Sequence, residues 1–241
     1  MRTAIIIAYL VGLILVACKK PETFTNDKLY TPALASGTIP ADSSTVLEMS
    51  ITFSDVDELD VREAHFMASG GRWLPGTDVT VTNNEVAVQA DENGKATVRW
   101  IPGRLPETIA FTVWAGDARY RSSSSVSTVA APPDTVLLTS TLATFDSTQH
   151  TAQLTATLYK NVGYHSVGLP LSFRAWHIVG GATTDIGNFT SAPLLQTTRA
   201  NAYTISLDLF SSGLLPQDTV YVAAFCGTVA SDTLRFVYND Q

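Results

Sequence analysis

Asp55, Asp57, Glu58 and Asp60 crowd into the run Asp55-Val56-Asp57-Glu58-Leu59-Asp60, where they form a dense set of hard oxygen ligands. Closely spaced carboxylates in a loop suit Ca²⁺, which takes oxygen ligands almost exclusively. The run lacks the turn glycine and the distant bidentate glutamate of an EF-hand, so a Ca²⁺ site here competes with a plain solvated acidic loop. No other cofactor is expected. His65, His150, His165 and His177 are dispersed, with no HExxH or paired-ligand spacing, and a zinc centre is not expected. The chain has no GxSxG elbow, and the serines around Gly163-Tyr164-His165-Ser166 have no acid and base at diagnostic spacing. It also has no phosphate-cradling loop or dinucleotide glycine pattern between a strand and a helix. The chain therefore reads as a non-enzyme with no catalytic residues to name. A hydrolase or carbohydrate-processing accessory would need a site without a sequence signature.

Cysteine chemistry divides between two positions. Cys226 lies in the strand-like run Thr219-Val220-Tyr221-Val222-Ala223-Ala224-Phe225-Cys226-Gly227, with no motif that would activate a thiol, and is expected to be a small buried hydrophobe. Cys18 follows an apolar run from Ala4 to Ala17 and precedes Lys19-Lys20. The run is short of the ~20 apolar residues a membrane-spanning helix needs, and Ala17 offers a small residue for cleavage. The segment Leu15-Val16-Ala17-Cys18 resembles the lipobox of bacterial lipoproteins. The resemblance implies that residues 1–17 are a signal peptide, that Cys18 is lipidated, and that 18–37 form a tether. Each buried CH₂ contributes ~0.8 kcal/mol and one chain alone holds a protein only marginally, so more than one acyl chain makes the anchor. The partner so implied is a membrane, expected to be the outer membrane of a cell envelope, with neither the periplasmic nor the surface face assigned.

The rest of the chain is long enough for two domains of about 100 residues each. With 45% hydrophobic and 15% charged residues it has the composition of a folded protein. A formal charge of −7 and a pI of 5.0 exclude a sequence-independent nucleic-acid binder, which needs a basic surface to release phosphate counterions. With Cys18 lipidated, Cys226 has no partner in the chain and no disulfide is expected.

These residues must be positioned by strands. Helical periodicity is almost absent, and alternation with a period of two marks Val46–Phe53, Ala96–Trp100, Ile109–Trp114, Leu154–Leu158, Leu171–Ala175, Tyr203–Leu207 and Val220–Val222. The chain is all-β. A break falls at Ala130-Ala131-Pro132-Pro133-Asp134, after the polar run Ser122–Ser125, and the adjacent prolines hold it extended. The halves on either side repeat one plan. Asn93-Gly94 and the strand after it, the turn at Leu105-Pro106, and a strand ending at Ala115-Gly116 are matched by Asn201-Ala202 and its strand, the turn at Leu215-Pro216, and a strand ending at Cys226-Gly227.

At Asp91-Glu92-Asn93-Gly94-Lys95-Ala96-Thr97-Val98 and at Val167-Gly168-Leu169-Pro170-Leu171-Ser172-Phe173, the chain resembles the bacterial immunoglobulin-like domains of the invasin and intimin group. The resemblance implies two tandem Ig-like β-sandwiches, residues 38–130 and 135–241, joined by a Pro-rich linker at 131–134. It also implies that Trp73, Trp100, Trp114 and Trp176 are mostly core or half-core residues, and that loops are presented on rigid scaffolds, where any of Trp73, Tyr120, Tyr164 and Trp176 left exposed could stack on a glycan or anchor a protein ligand. Asp134-Thr135-Val136, Asp218-Thr219-Val220 and Asp232-Thr233-Leu234 resemble the Asp-Ser/Thr-aliphatic acceptor of Bacteroidota O-glycosylation, which makes Thr135, Thr219 and Thr233 candidate modification sites. A lipid-anchored binding or adhesion module is the leading reading. The alternative is a structural spacer or a fimbrial or envelope-assembly subunit. The oligomeric state is left open.

Overall fold

The computed structural model describes residues 30–54, 62–76, 79–82, 84–116, 121–189, 192–209 and 213–239. All its regular structure is strand. The first half contains β1 (Tyr30–Ala33), β2 (Gly37–Pro40), β3 (Leu47–Phe53), β4 (Glu63–Ala68), β5 (Arg72–Trp73), β6 (Val79–Thr82), β7 (Glu85–Gln89), β8 (Lys95–Ile101), β9 (Thr108–Ala115) and β10 (Ser122–Val129). The second contains β11 (Thr135–Ser140), β12 (Thr144–Phe145), β13 (Thr151–Tyr159), β14 (Pro170–Val179), β15 (Ala182–Asp185), β16 (Asn188–Phe189), β17 (Leu194–Gln196), β18 (Ala202–Asp208), β19 (Thr219–Cys226), β20 (Val229–Ala230) and β21 (Leu234–Tyr238).

Each half folds into two sheets. In the first, β1-β3-β8-β5 faces β2-β10-β9-β4-β7-β6, and in the second, β11-β13-β18-β16 faces β12-β21-β19-β14-β15. The two halves share a topology that the sequence repeat foreshadows, because β8 and β9 hold the places of β18 and β19. In both, the first strand pairs antiparallel with the third, and the chain then crosses to the opposite sheet. There β2 runs parallel to β10, and β12 runs parallel to β21. This crossover covers the edge that β10 or β21 would otherwise expose.

Alternation sets which faces meet. Along β8 the inward residues are Ala96, Val98 and Trp100, and along β13 they are Ala152, Leu154, Ala156 and Leu158. Trp100, fully buried, meets Phe111 edge-on at 5.0 Å, and its Nε1 donates to Gly70 O at 2.9 Å. In the second sandwich Phe145 packs edge-on against Phe236 at 5.0 Å. Gly71 is dictated by this packing, since it sits at φ 72° and a Cβ there would run into the Trp100 ring.

One segment differs from the sequence reading and another goes beyond it. The first sandwich includes β1 from Tyr30 on, inside the stretch 18–37 assigned to the tether. Tyr30 is buried, its hydroxyl donates to Val113 O at 3.2 Å, and β1 pairs with β3. Four residues are too few to show a period of two, and Pro32 disguises them further, although an edge strand tolerates proline. The serine-rich run before the break, marked in the sequence only by its polarity, forms a strand. Ser122–Ser127 pair with β9 while Ser124 Oγ donates to Ala35 O at 3.0 Å, so backbone pairing defines a strand whose side chains are small and polar. Strand β10 ends at Val129 and β11 begins at Thr135.

Candidate functional site

Polar groups converge where the two sandwiches meet. From the first half come the Ala41–Thr45 turn and Arg104, in the turn between β8 and β9. From the second come the loop between β13 and β14, which carries Gly163 to Val167, and the loop before β18. The Ala41–Thr45 turn is shaped by Asp42, whose Oδ1 accepts from Ser44 N at 2.8 Å and Thr45 N at 2.9 Å, while Oδ2 accepts from Thr45 Oγ1 at 3.0 Å. Burial alone would push the Asp42 carboxyl up. The hydrogen bonds from Thr45 and Ser44 outweigh it and hold the group below the usual carboxylate range.

Ser166 fastens the halves together. It is fully buried, and its Oγ donates to Ala41 O and accepts from Ala131 N, both at 2.8 Å, while its own N donates to Ala131 O. Thr197 Oγ1 supports it by donating to Ser166 O at 2.9 Å. Two further backbone bonds cross between the halves, from Tyr164 N to Asp42 O and from Val167 N to Arg104 O, each 2.8 Å. Gly163 allows this approach, because at φ 73° a Cβ would strike Ser44 Oγ and sit 2.5 Å from Asp42 O.

Arg104 reaches across the same junction. Its Nε donates to His165 O at 2.8 Å and its Nη1 to Arg199 O at 3.1 Å, and its guanidinium lies 4.9 Å from the centre of the Tyr164 ring. Burial, with Arg199 alongside, lowers Arg104 from its ordinary value, and Tyr203 and Tyr164 pull it back. The buried His165 ring lies between Arg104 Nη2 and two carbonyls, Ser166 O at 3.0 Å from Nδ1 and Ala200 O at 3.1 Å from Nε2. Whichever nitrogen carries the proton donates to its carbonyl, and the other accepts from Arg104. The ring is thus paired as a structural member.

A cleft of about 810 Å³ opens beside this junction, lined in part by Ser43, Arg72, Arg104, Glu107, Tyr164 and Arg199. Arg72 and Arg199 are exposed, and their guanidinium groups make no hydrogen bond or ion pair among the described residues. Ser43 takes φ 55°, a left-handed conformation that few side chains adopt, and tightens the wall on the first half.

The residues singled out from sequence fall in several places. Tyr164 borders the cleft and is half exposed. Trp176 lies on the outward face of β14, half-buried, stacked on Tyr221 at 5.9 Å and approached by Arg174 at 5.4 Å. Trp73 does not belong to a binding surface: it is a core residue at 8% exposure, with its Nε1 donating to Asn84 O at 2.9 Å. The strand that carries it is two residues long, too short for alternation to reveal which way the ring points. Thr135 and Thr233 are exposed, whereas Thr219 is half-buried at the start of β19 and pairs with Val237. Cys18, Tyr120 and the carboxylates Asp55, Asp57, Glu58 and Asp60 lie outside the described residues. Cys226 is buried and unpaired, and burial pushes its thiol up to about 11. Among the described residues no three His, Cys, Asp or Glu side chains come together to hold a metal. Sequence reasoning missed Arg104, Asp42 and Thr197, since no motif marks an arginine or a turn aspartate that works across a domain boundary.

No known family matches the sequence, and no curated protein does. Solved structures do match in fold. The adhesin InvE of Yersinia pseudotuberculosis aligns over 88% of this chain and 61% of its own, with a TM-score of 0.53 and 13% identity. Invasin, described as a bacterial integrin-binding protein, aligns over 88% of this chain and 39% of its own, with a TM-score of 0.59 and 17% identity. The chain thus spans less than two thirds of either protein. It is built as Ig-like β-sandwiches in series, the architecture that these bacterial adhesins share.

Proposed function

We propose that this chain is a lipid-anchored cell-envelope protein whose two Ig-like sandwiches serve as non-catalytic binding or adhesion modules. The observation that carries the reading is the junction fastened by Ser166, Tyr164, Val167 and Arg104, which joins two sandwiches that follow the Leu15–Cys18 segment in the sequence. A lipid at Cys18 would tether the chain at the membrane, with the loops and cleft of the sandwiches available to a ligand. The fully buried Ser166 and the buried His165 beside it are held by carbonyl, amide and guanidinium partners, which suits a structural junction. A protein or glycan ligand fits this reading.

Growth with an alkyne-tagged fatty acid, followed by fractionation, tests the anchoring. The tag is expected on the wild-type protein in the membrane fraction, and Cys18→Ala is expected to abolish tagging and release the protein from membranes. A tagged Cys18→Ala protein, or an untagged wild type, would overturn the anchor.

A further inference from the structure

The cleft beside the junction has a chemistry of its own. Three arginines line it, Arg72, Arg104 and Arg199, against one carboxylate, Glu107, in a protein whose formal charge is −7. Two of the three are unspent, because Arg72 and Arg199 make no hydrogen bond or ion pair among the described residues. The third, Arg104, uses its donors on the carbonyls of His165 and Arg199 and on the His165 ring, which fixes its positive charge in place under Tyr164. Planar guanidinium forks suit carboxylate and sulfate oxygens, and an arginine held by protein carbonyls pays little ordering cost when an anion arrives.

We infer that this cleft binds an acidic saccharide, a sugar chain bearing carboxylate or sulfate groups, with Arg72 and Arg199 gripping the anionic groups and Tyr164 bearing on a sugar face. The inference deepens the binding role proposed above and rests on it. A volume of about 810 Å³ lies within the ordinary range for ligand sites and admits a short oligosaccharide. Tyr164 is half exposed, so part of its ring remains open to a ligand beside the Arg104 contact. The chemistry of an extended acidic peptide fits less well. Peptides commonly add a strand to a free sheet edge, and the edge that borders the cleft is β5, only two residues long. The site also belongs to neither sandwich alone, since Arg72 and Arg104 come from the first and Tyr164 and Arg199 from the second.

Binding of a heparin-derived hexasaccharide and of an oligogalacturonate to the full chain in detergent, measured by calorimetry at low salt, tests the inference. Maltohexaose and oligoglutamate serve as comparison ligands. At least one of the two acidic saccharides is expected to bind, more weakly as salt rises, with maltohexaose silent and oligoglutamate at least tenfold weaker. Arg72→Ala and Arg199→Ala are each expected to weaken binding about tenfold without lowering the melting temperature, as the loss of one charged hydrogen-bonding group implies. Arg235→Ala, an exposed arginine on β21, controls for general charge and is expected to leave binding unchanged. Failure of both acidic saccharides, equal binding of maltohexaose or oligoglutamate, or indifference to Arg72→Ala and Arg199→Ala would overturn it. Because purified protein is used, failure here leaves the anchoring result untouched, and an unanchored protein can still bind the saccharide.

Discussion

At the scale of single residues, burial and hydrogen bonding decide reactivity. Cys226 is fully buried and its thiol is pushed up to about 11, so little thiolate exists at neutral pH. The native protein is expected to resist a thiol-reactive disulfide reagent and to react with one equivalent at this position after unfolding in guanidinium, followed by absorbance. Asp42 behaves in the opposite way. Its folded pKa lies below the ordinary value, so it contributes stability that is complete above the unfolded value near ~3.9 and is lost as pH falls through the lower folded value. Asp42→Ala is expected to cost about 1–3 kcal/mol at pH 7, through the bonds from Ser44 and Thr45 that it removes, and the difference from wild type is expected to shrink as pH falls below the unfolded value in denaturant titrations. Cys226 was legible in the sequence because an apolar run encloses it. Asp42 was not, since an Asp-Ser-Ser-Thr segment reads only as a turn, and what the turn touches is set more than a hundred residues away.

Among the elements, strands with a long apolar alternation were legible, whereas the short ones and the serine-rich β10 were not. Strands β3, β8, β9, β13, β14, β18 and β19 each run far enough for alternation to show, and each lies where alternation placed it. Strands of two to four residues, β1, β5 and β12 among them, owe their place to partners already assembled, so nothing local announces them. Trp73 sits on one of these, and a two-residue strand leaves nothing local to separate its place in the core from the ligand contact also open to it. Turns impose a different constraint. Gly71 and Gly163 both take positive φ and both leave no room for a Cβ, but they act on different things. Gly71→Ala presses on Trp100 and is expected to destabilise the first sandwich by about 1–3 kcal/mol, read as a lower melting temperature. Gly163→Ala presses on Ser44 and the Asp42 carbonyl, and its expected effect is on the junction: faster limited proteolysis near the Ala130–Asp134 connection while both cores stay folded.

Over the whole molecule, the question is whether two sandwiches act as one body. Their separate cores share no buried cluster, so coupling must come from the junction. There Ser166, Tyr164, Val167 and Arg104 supply hydrogen bonds between the halves. Arg104→Ala strips the carbonyls of His165 and Arg199 of a charged donor. In scanning calorimetry it is expected to split a single unfolding transition into two, with the lower one shifted down by several degrees. The tandem plan was legible in the repeated turns of the two halves, whereas the junction was not, because its partners come from loops whose proximity only the folded sandwiches create. The proposed adhesion role requires the two sandwiches to stand on the outer side of the envelope, where a ligand can reach the cleft and loops. Protease treatment of intact cells, with immunoblotting for the chain and for a periplasmic control, tests it most directly. Loss of the full-length band while the periplasmic control survives is the expected result, and full protection while known surface proteins are degraded would contradict it and leave a spacer or assembly role inside the envelope.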